Sequence, residues 1–140
     1  IRYRLVGSEM CIRDRVDSVW QHMVGVMCLN MTHRKQVKRV LPILFKKYPD
    51  PNTFLRGRKE YQAKLLEPLG MKNVRVARLR KMSEEFLNWD HKDATELYGI
   101  GKYGSDSYRI FYKNEIPEDI GDHELQRYVR EELNEHIHTS

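Results

Sequence analysis

The chain has 140 residues, is 40% apolar and 32% charged, and carries a formal net charge of +5, which suits one packed domain and a polyanionic partner. No apolar run approaches a membrane span, and two cysteines, Cys11 and Cys28, cannot build a disulfide framework or a four-cysteine zinc or iron–sulfur site. The six histidines are scattered, and His136 and His138, two apart, fall on different faces of a helix, so no metal site is expected.

The opening stretch "RLVGSEMCIRDR" (4–15) has neither a strand alternation nor a helical period. It also lacks the apolar run and small-residue cleavage site of a signal peptide. Residues 1–15 contribute +2 of the net charge and leave +3 for the rest. From Val16 onward the pattern is helical and strand-like alternation is absent, so the expected fold class is all-α. "VDSVWQHMVGVMCLN" (16–30) is apolar nearly all round and predicts a mostly buried helix. Thr32 is placed to cap the next helix, "HRKQVKRVLPILFKKY", which Pro42 would bend. The basic residues of that helix read as a solvated face. "PDPN" (49–52) is a turn, and "RKEYQAKLLEPLG" a short helix ending before Pro68 and Gly70. "VRVARLRKMSEEFLNW" predicts an amphipathic helix with Val74, Ala77, Leu79, Met82, Phe86 and Leu87 inward and its arginines outward. "ATELYGIGKYGSDSYRIFYKNE" reads as a helix, a Gly-rich hairpin and a second helix. "DHELQRYVREELNEH" closes the chain with Leu125, Tyr128, Val129 and Leu133 on one face.

The hairpin "LYGIGKYGSD" (97–106) carries the most information. Gly99 and Gly101 flank one apolar residue, which permits a sharp turn and a close backbone approach to a ligand. The following helix, expected to start near Gly104, presents free N–H groups that attract phosphate, with Lys102 beside them. A tight connection between two packed helices would use the same residues. No strand precedes the glycines, which argues against a dinucleotide fold, and nothing matches a P-loop.

"LYGIGKYG" followed by a helix resembles the helix–hairpin–helix element of the base-excision DNA glycosylases. With "VWQHMVGVMCLNMT", "LLEPLGMKNVRVARL", "FLNWDHKDATELYGIGKYGSDSYRIF" and "DHELQRYV" in order, residues 16–140 resemble the C-terminal domain of the methyl-CpG-binding-domain thymine/uracil mismatch glycosylases. The resemblance implies a helix–hairpin–helix glycosylase fold, with the hairpin motif at about 94–113. It also implies excision of thymine or uracil from G·T and G·U mismatches in double-stranded DNA, by a monomer in the nucleus without a catalytic cofactor. A structural monovalent cation at the hairpin carbonyls is a further implication.

Carried over residue by residue, the catalytic carboxylate is Asp122 in "GDHELQRYV". Loss of the base leaves an oxocarbenium-like sugar, which a carboxylate stabilises while it orients or deprotonates water. Read from position alone, Asp122 is an N-cap of the last helix, and the two roles are compatible. Relatives that also cut the strand carry a lysine nucleophile where this chain has Tyr103, so the implied enzyme lacks lyase activity, and Tyr103 packs against the flipped base. The DNA-facing set is Gly99, Gly101, Lys102, Gly104, Asn30, Met31, Thr32 and Met71. Met31 stands where the family's usual wedge is arginine, and Met71 where it is apolar; either can enter a base step, but neither can bond the orphaned guanine. Glu124 stands where the family is basic, which weakens one phosphate contact.

The opening stretch has a resemblance of its own: Leu5–Asp14 matches an in-frame translation of CTC GTG GGC TCG GAG ATG TGT ATA AGA GAC, the end of a transposon-derived adapter used in sequencing libraries. The expectation is a non-native leader at 1–15 joined to an N-terminally truncated domain at 16–140. The family's base-reading glutamine would fall at Ile12, inside that leader. The alternatives are a non-catalytic helix–hairpin–helix DNA-binding module and a related glycosylase of different base specificity.

Overall fold

The computed structural model describes residues 16–30 and 32–133. Within them the chain is helical and without strands, in the order α1 (Val19–Leu29), α2 (Arg34–Lys47), α3 (Pro51–Arg56), α4 (Lys59–Leu66), α5 (Lys72–Leu87), α6 (Lys102–Tyr112) and α7 (His123–Tyr128). Short 3-10 turns follow α4 at Glu67–Leu69 and precede the hairpin at Ala94–Glu96. A π turn, Val129–Leu133, extends α7. No helix among the described residues is long and apolar enough to cross a membrane. The proposed leader with Cys11 and Ile12, the wedge position Met31, and His136 and His138 lie outside the described residues, as does the side chain of Leu133.

α1 is the axis of the molecule. Residues Trp20 to Cys28 are all buried, as a helix apolar all round must be. α2, α5 and α6 pack around it. Its two polar interruptions are anchors: Gln21 reaches the Pro49 carbonyl at 2.9 Å, and His22 meets Ser107 at 2.9 Å. Trp20 packs against Phe45 and Phe54 with ring centroids 5.9 and 5.8 Å apart. Its indole N–H donates to Ser83 Oγ on α5 at 2.9 Å, and that hydroxyl donates to the Leu79 carbonyl at 2.7 Å.

Several local expectations are corrected. Thr32 does not cap α2; His33 occupies the cap position, and the Thr32 hydroxyl turns back to the Asn30 carbonyl. On α5 the buried face is Val76, Leu79, Met82 and Ser83, so Val74, Ala77 and Leu87 point to solvent. That face sets the Ser83 hydroxyl against the Trp20 indole N–H. Two of its arginines turn inward onto backbone. Arg80 donates to the carbonyls of Phe54, Leu55 and Gly57 at 3.2, 2.8 and 3.2 Å, closing the C-terminus of α3. The segment before the hairpin is a 3-10 turn, not a helix, and α6 begins at Lys102 rather than near Gly104.

A second, smaller apolar cluster holds the C-terminal part: Ile110 and Phe111 of α6 against Leu125, Tyr128 and Val129. It docks α7 on α6 and thereby fixes where Asp122 stands. Ser83→Ala removes the oxygen to which the buried indole N–H is bonded, and should lower the unfolding free energy by about 1–3 kcal/mol, measured by denaturant titration.

Candidate active site

The hairpin is built by a left-handed turn that leaves no room for a side chain. Gly99 has φ +79°, and a Cβ there would meet Met27 Cε at 2.7 Å. Gly101, by contrast, has open space where a Cβ would be, so its backbone is approachable. No side chain caps α6. Its first intrahelical bond runs from the Ser105 N–H to the Gly101 carbonyl, which leaves the N–H groups of residues 102–104 without helical acceptors. Gly104 is buried for a packing reason: a Cβ would sit 2.8 Å from Ile100 and 3.1 Å from Val26.

One cavity, of about 460 Å³, is bordered by Asn30, Thr32, Gly99, Gly101, Lys102, Tyr103, Gly104 and Asp122. Eight of the ten residues singled out by sequence therefore share one wall. Arg34, Val26 and Leu29 also border it and were not anticipated. Arg34 is the first residue of α2, two positions beyond Thr32, and nothing in its local pattern distinguishes it from the neighbouring basic residues.

Asp122 is the N-cap of α7, and its Oδ2 accepts the Leu125 N–H at 3.0 Å. The capping role read from position is therefore real. Asp122 is half-buried, and its charge is felt at Tyr103. The Tyr103 phenol is pushed up to about 12, first by burial, then by Asp122, with Glu124 adding to the rise and Arg34 opposing it. Glu124 holds one carboxylate oxygen buried without a hydrogen-bond partner. Lys102 directs its ammonium at Asp106 Oδ2, 3.0 Å away, and at the Asp119 carbonyl.

Met71 does not border this cavity. It borders an adjoining one of about 350 Å³, which shares Asn30 and Gly99 with the first. Gly70 and Met71 are consecutive left-handed residues, at φ +78° and +50°, and the Met71 side chain is 59% exposed. A methionine held in that backbone region and projected into solvent is not core filling.

Arg75 joins the two loops. Its Nε donates to the Gly70 carbonyl at 2.8 Å, and its terminal nitrogens donate to the carbonyls of Leu69, Cys28 and Asn30 at 3.2, 3.3 and 3.4 Å and to the Thr32 hydroxyl. The fixed fork of a guanidinium can satisfy this many acceptors; an ammonium cannot. Cys28 beside it is fully buried, its thiol pushed up to about 12 by desolvation, and is chemically quiet.

No protein-family profile matches the chain. Among curated proteins, it is 35% identical over 100 residues to the methyl-CpG-binding domain protein 4-like protein of Arabidopsis thaliana, covering 70% of this chain and 22% of that protein. It is 27% identical over 110 residues to the thymine/uracil-DNA glycosylase of Pyrobaculum aerophilum, covering 74% of this chain and 48% of that one. The chain thus spans less than half the length of these relatives. Among solved structures, a non-covalent endonuclease III–DNA complex superposes with a TM-score of 0.67 at 15% identity, over 81% of this chain and 56% of that one. A thermostable thymine-DNA glycosylase superposes with a TM-score of 0.61 at 22% identity, over 73% and 54%.

Two outcomes follow from this geometry. Arg75→Gln should lower the unfolding free energy by about 2 kcal/mol, because carbonyls of two loops lose a charged donor, and differential calorimetry would read the loss. The raised Tyr103 phenol contributes stability that is complete below pH 10, its ordinary value, and lost as pH rises through about 12. Unfolding curves across that window should fall more steeply for the parent than for Tyr103→Phe. By fold and by relatives, the chain belongs to the helix–hairpin–helix DNA glycosylase superfamily.

Proposed function

We propose that this domain is a monofunctional DNA glycosylase that excises thymine or uracil opposite guanine. The observation that carries the reading is the cavity in which the Asp122 carboxylate, the Tyr103 ring and the N-terminus of α6 converge. The relatives named for thymine and uracil removal support the choice of base.

The reaction assigns each part a task. The duplex backbone lies against Gly99–Lys102, where uncapped N–H groups meet phosphate. The target nucleotide leaves the stack and its base enters beside Tyr103. Met71 and the Asn30–Thr32 loop, with Met31, fill the space it vacates. As the C1′–N bond breaks, its electron pair departs with the base and positive charge develops on the sugar. Asp122 stabilises that charge and receives a proton from the water whose oxygen bonds to C1′. Tyr103 retains its proton at working pH and offers no amine, so no Schiff base forms and the product is an abasic site. A monovalent cation at the hairpin would be held by carbonyls such as those of Leu97 and Gly101, each of which keeps a lone pair beyond its bond to Ile100 or Ser105 N–H. It would supply further positive charge toward phosphate.

The cap from Asp122 to Leu125 favours a second reading, a DNA-binding module in which that carboxylate is purely structural. Incubation with duplexes holding G·T or G·U, followed by alkali, separates the two. The glycosylase reading expects strand scission at the mismatched pyrimidine only after alkali, and a rate at least about a hundredfold lower for Asp122→Asn, which keeps an oxygen for the cap. Binding without scission supports the module.

A further inference from the structure

The Lys102 side chain stands between the two parts of the site. It is the first residue of α6, one position before Tyr103, and its ammonium spans two elements. One bond goes to Asp106 on the next turn, at 3.0 Å, and one to the Asp119 carbonyl in the loop that ends at Asp122. The Asp106 carboxylate is only 7% exposed, and Lys102 at 53% reaches down to it from the surface. A buried carboxylate with this one ion-pair partner holds the ammonium in place. The stem of the lysine runs along the same loop: a Cβ at Gly121 would come within 3.3 Å of Lys102 Cε and 3.7 Å of its Cδ. Gly121 directly precedes Asp122. α7 adds a second tie, from the Gln126 side chain to the Ile120 carbonyl.

We propose that Lys102 is a positioning residue that fixes the 117–122 loop, and with it the Asp122 carboxylate, against the helix bearing Tyr103. This rests on Asp122 being the catalytic group. The alternative use of the ammonium, as a phosphate ligand, makes different demands. A phosphate contact contributes to duplex affinity and to its salt dependence. A brace contributes to the rate of bond breaking, because a displacement of the carboxylate by an ångström is costly.

The test compares the full chain with Lys102→Met, Lys102→Arg and the paired variant Lys102→Met/Asp106→Asn. The pair leaves no buried charge unpartnered, so it folds where Lys102→Met alone is strained. Three quantities are read: single-turnover cleavage of a G·U duplex at saturating protein, duplex affinity across a salt series, and amide exchange at Ile120, Gly121 and Asp122. The expected result is a cleavage rate lower by about ten- to a hundredfold in Lys102→Met and in the pair, with affinity and salt slope unchanged in the pair, whose net charge equals the parent's. Exchange at the three amides rises in both, and Lys102→Arg recovers part of the rate. Weaker binding with a salt slope reduced by about one, at an unchanged saturated rate, overturns the proposal in favour of a phosphate ligand. A pair that melts like the parent and cleaves at the parent's rate overturns it as well. If the parent cleaves no mismatch, the glycosylase reading has failed, and exchange alone decides the brace: faster exchange in the pair retains it, unchanged exchange overturns it.

Discussion

The burial of α1 is the constraint from which the rest of the arrangement follows. A helix apolar on every side has to be enclosed, and α2, α5 and α6 enclose it. Two of the enclosing helices, and the turn that follows the third, are then registered by polar contacts that the apolar surface alone would not specify: Trp20 to Ser83 on α5, His22 to Ser107 on α6, and Gln21 to Pro49 just after α2. Ser107 lies on α6, so the hairpin helix is locked to the axis one turn beyond Tyr103 and Gly104. The C-terminus of α1 delivers Asn30 to the cavity rim, and the start of α6 delivers Tyr103 to its wall. The site is thus a junction of helix ends around one buried helix.

Carboxylate and backbone chemistry are divided between the two apolar clusters. The larger cluster carries the hairpin and the two loops; the smaller one carries α7 and Asp122. They meet where Tyr103 packs against both. That shared side chain explains why burial dominates the shift of its phenol, with the Asp122 charge second.

Much of this was legible in the sequence, and the parts that were not share a cause. The buried α1, the hairpin glycines and the grouping of Asp122 with Tyr103 follow from composition all round the helix, from backbone freedom and from matched motifs. The face of α5 was misread: Val74 and Ala77 keep helical spacing with each other but not with Leu79, and the true stripe runs through Val76, Leu79, Met82 and Ser83, with the Ser83 hydroxyl against the Trp20 indole. A serine in a core stripe carries no hydrophobic signal. Arg75 and Arg80 were assigned to solvent on charge, yet both donate to backbone carbonyls of segments distant in sequence, Arg75 to Cys28 and Arg80 to Leu55. Such contacts join residues tens of positions apart and leave no periodicity. Thr32 offered a helix cap but gives its hydroxyl to Arg75 and the Asn30 carbonyl, a competition that only tertiary structure decides.

The Arg75 fork makes the loops at 28–32 and 69–71 a single object. Loss of either loop's acceptors leaves the guanidinium bonded to the other loop alone. The unit at this edge of the molecule is tripartite: two loops, and a guanidinium on a third segment that bonds to both. Drift in the exposed Met71 side chain leaves the frame intact. Drift at position 75 changes the frame, and every side chain the two loops carry moves with it.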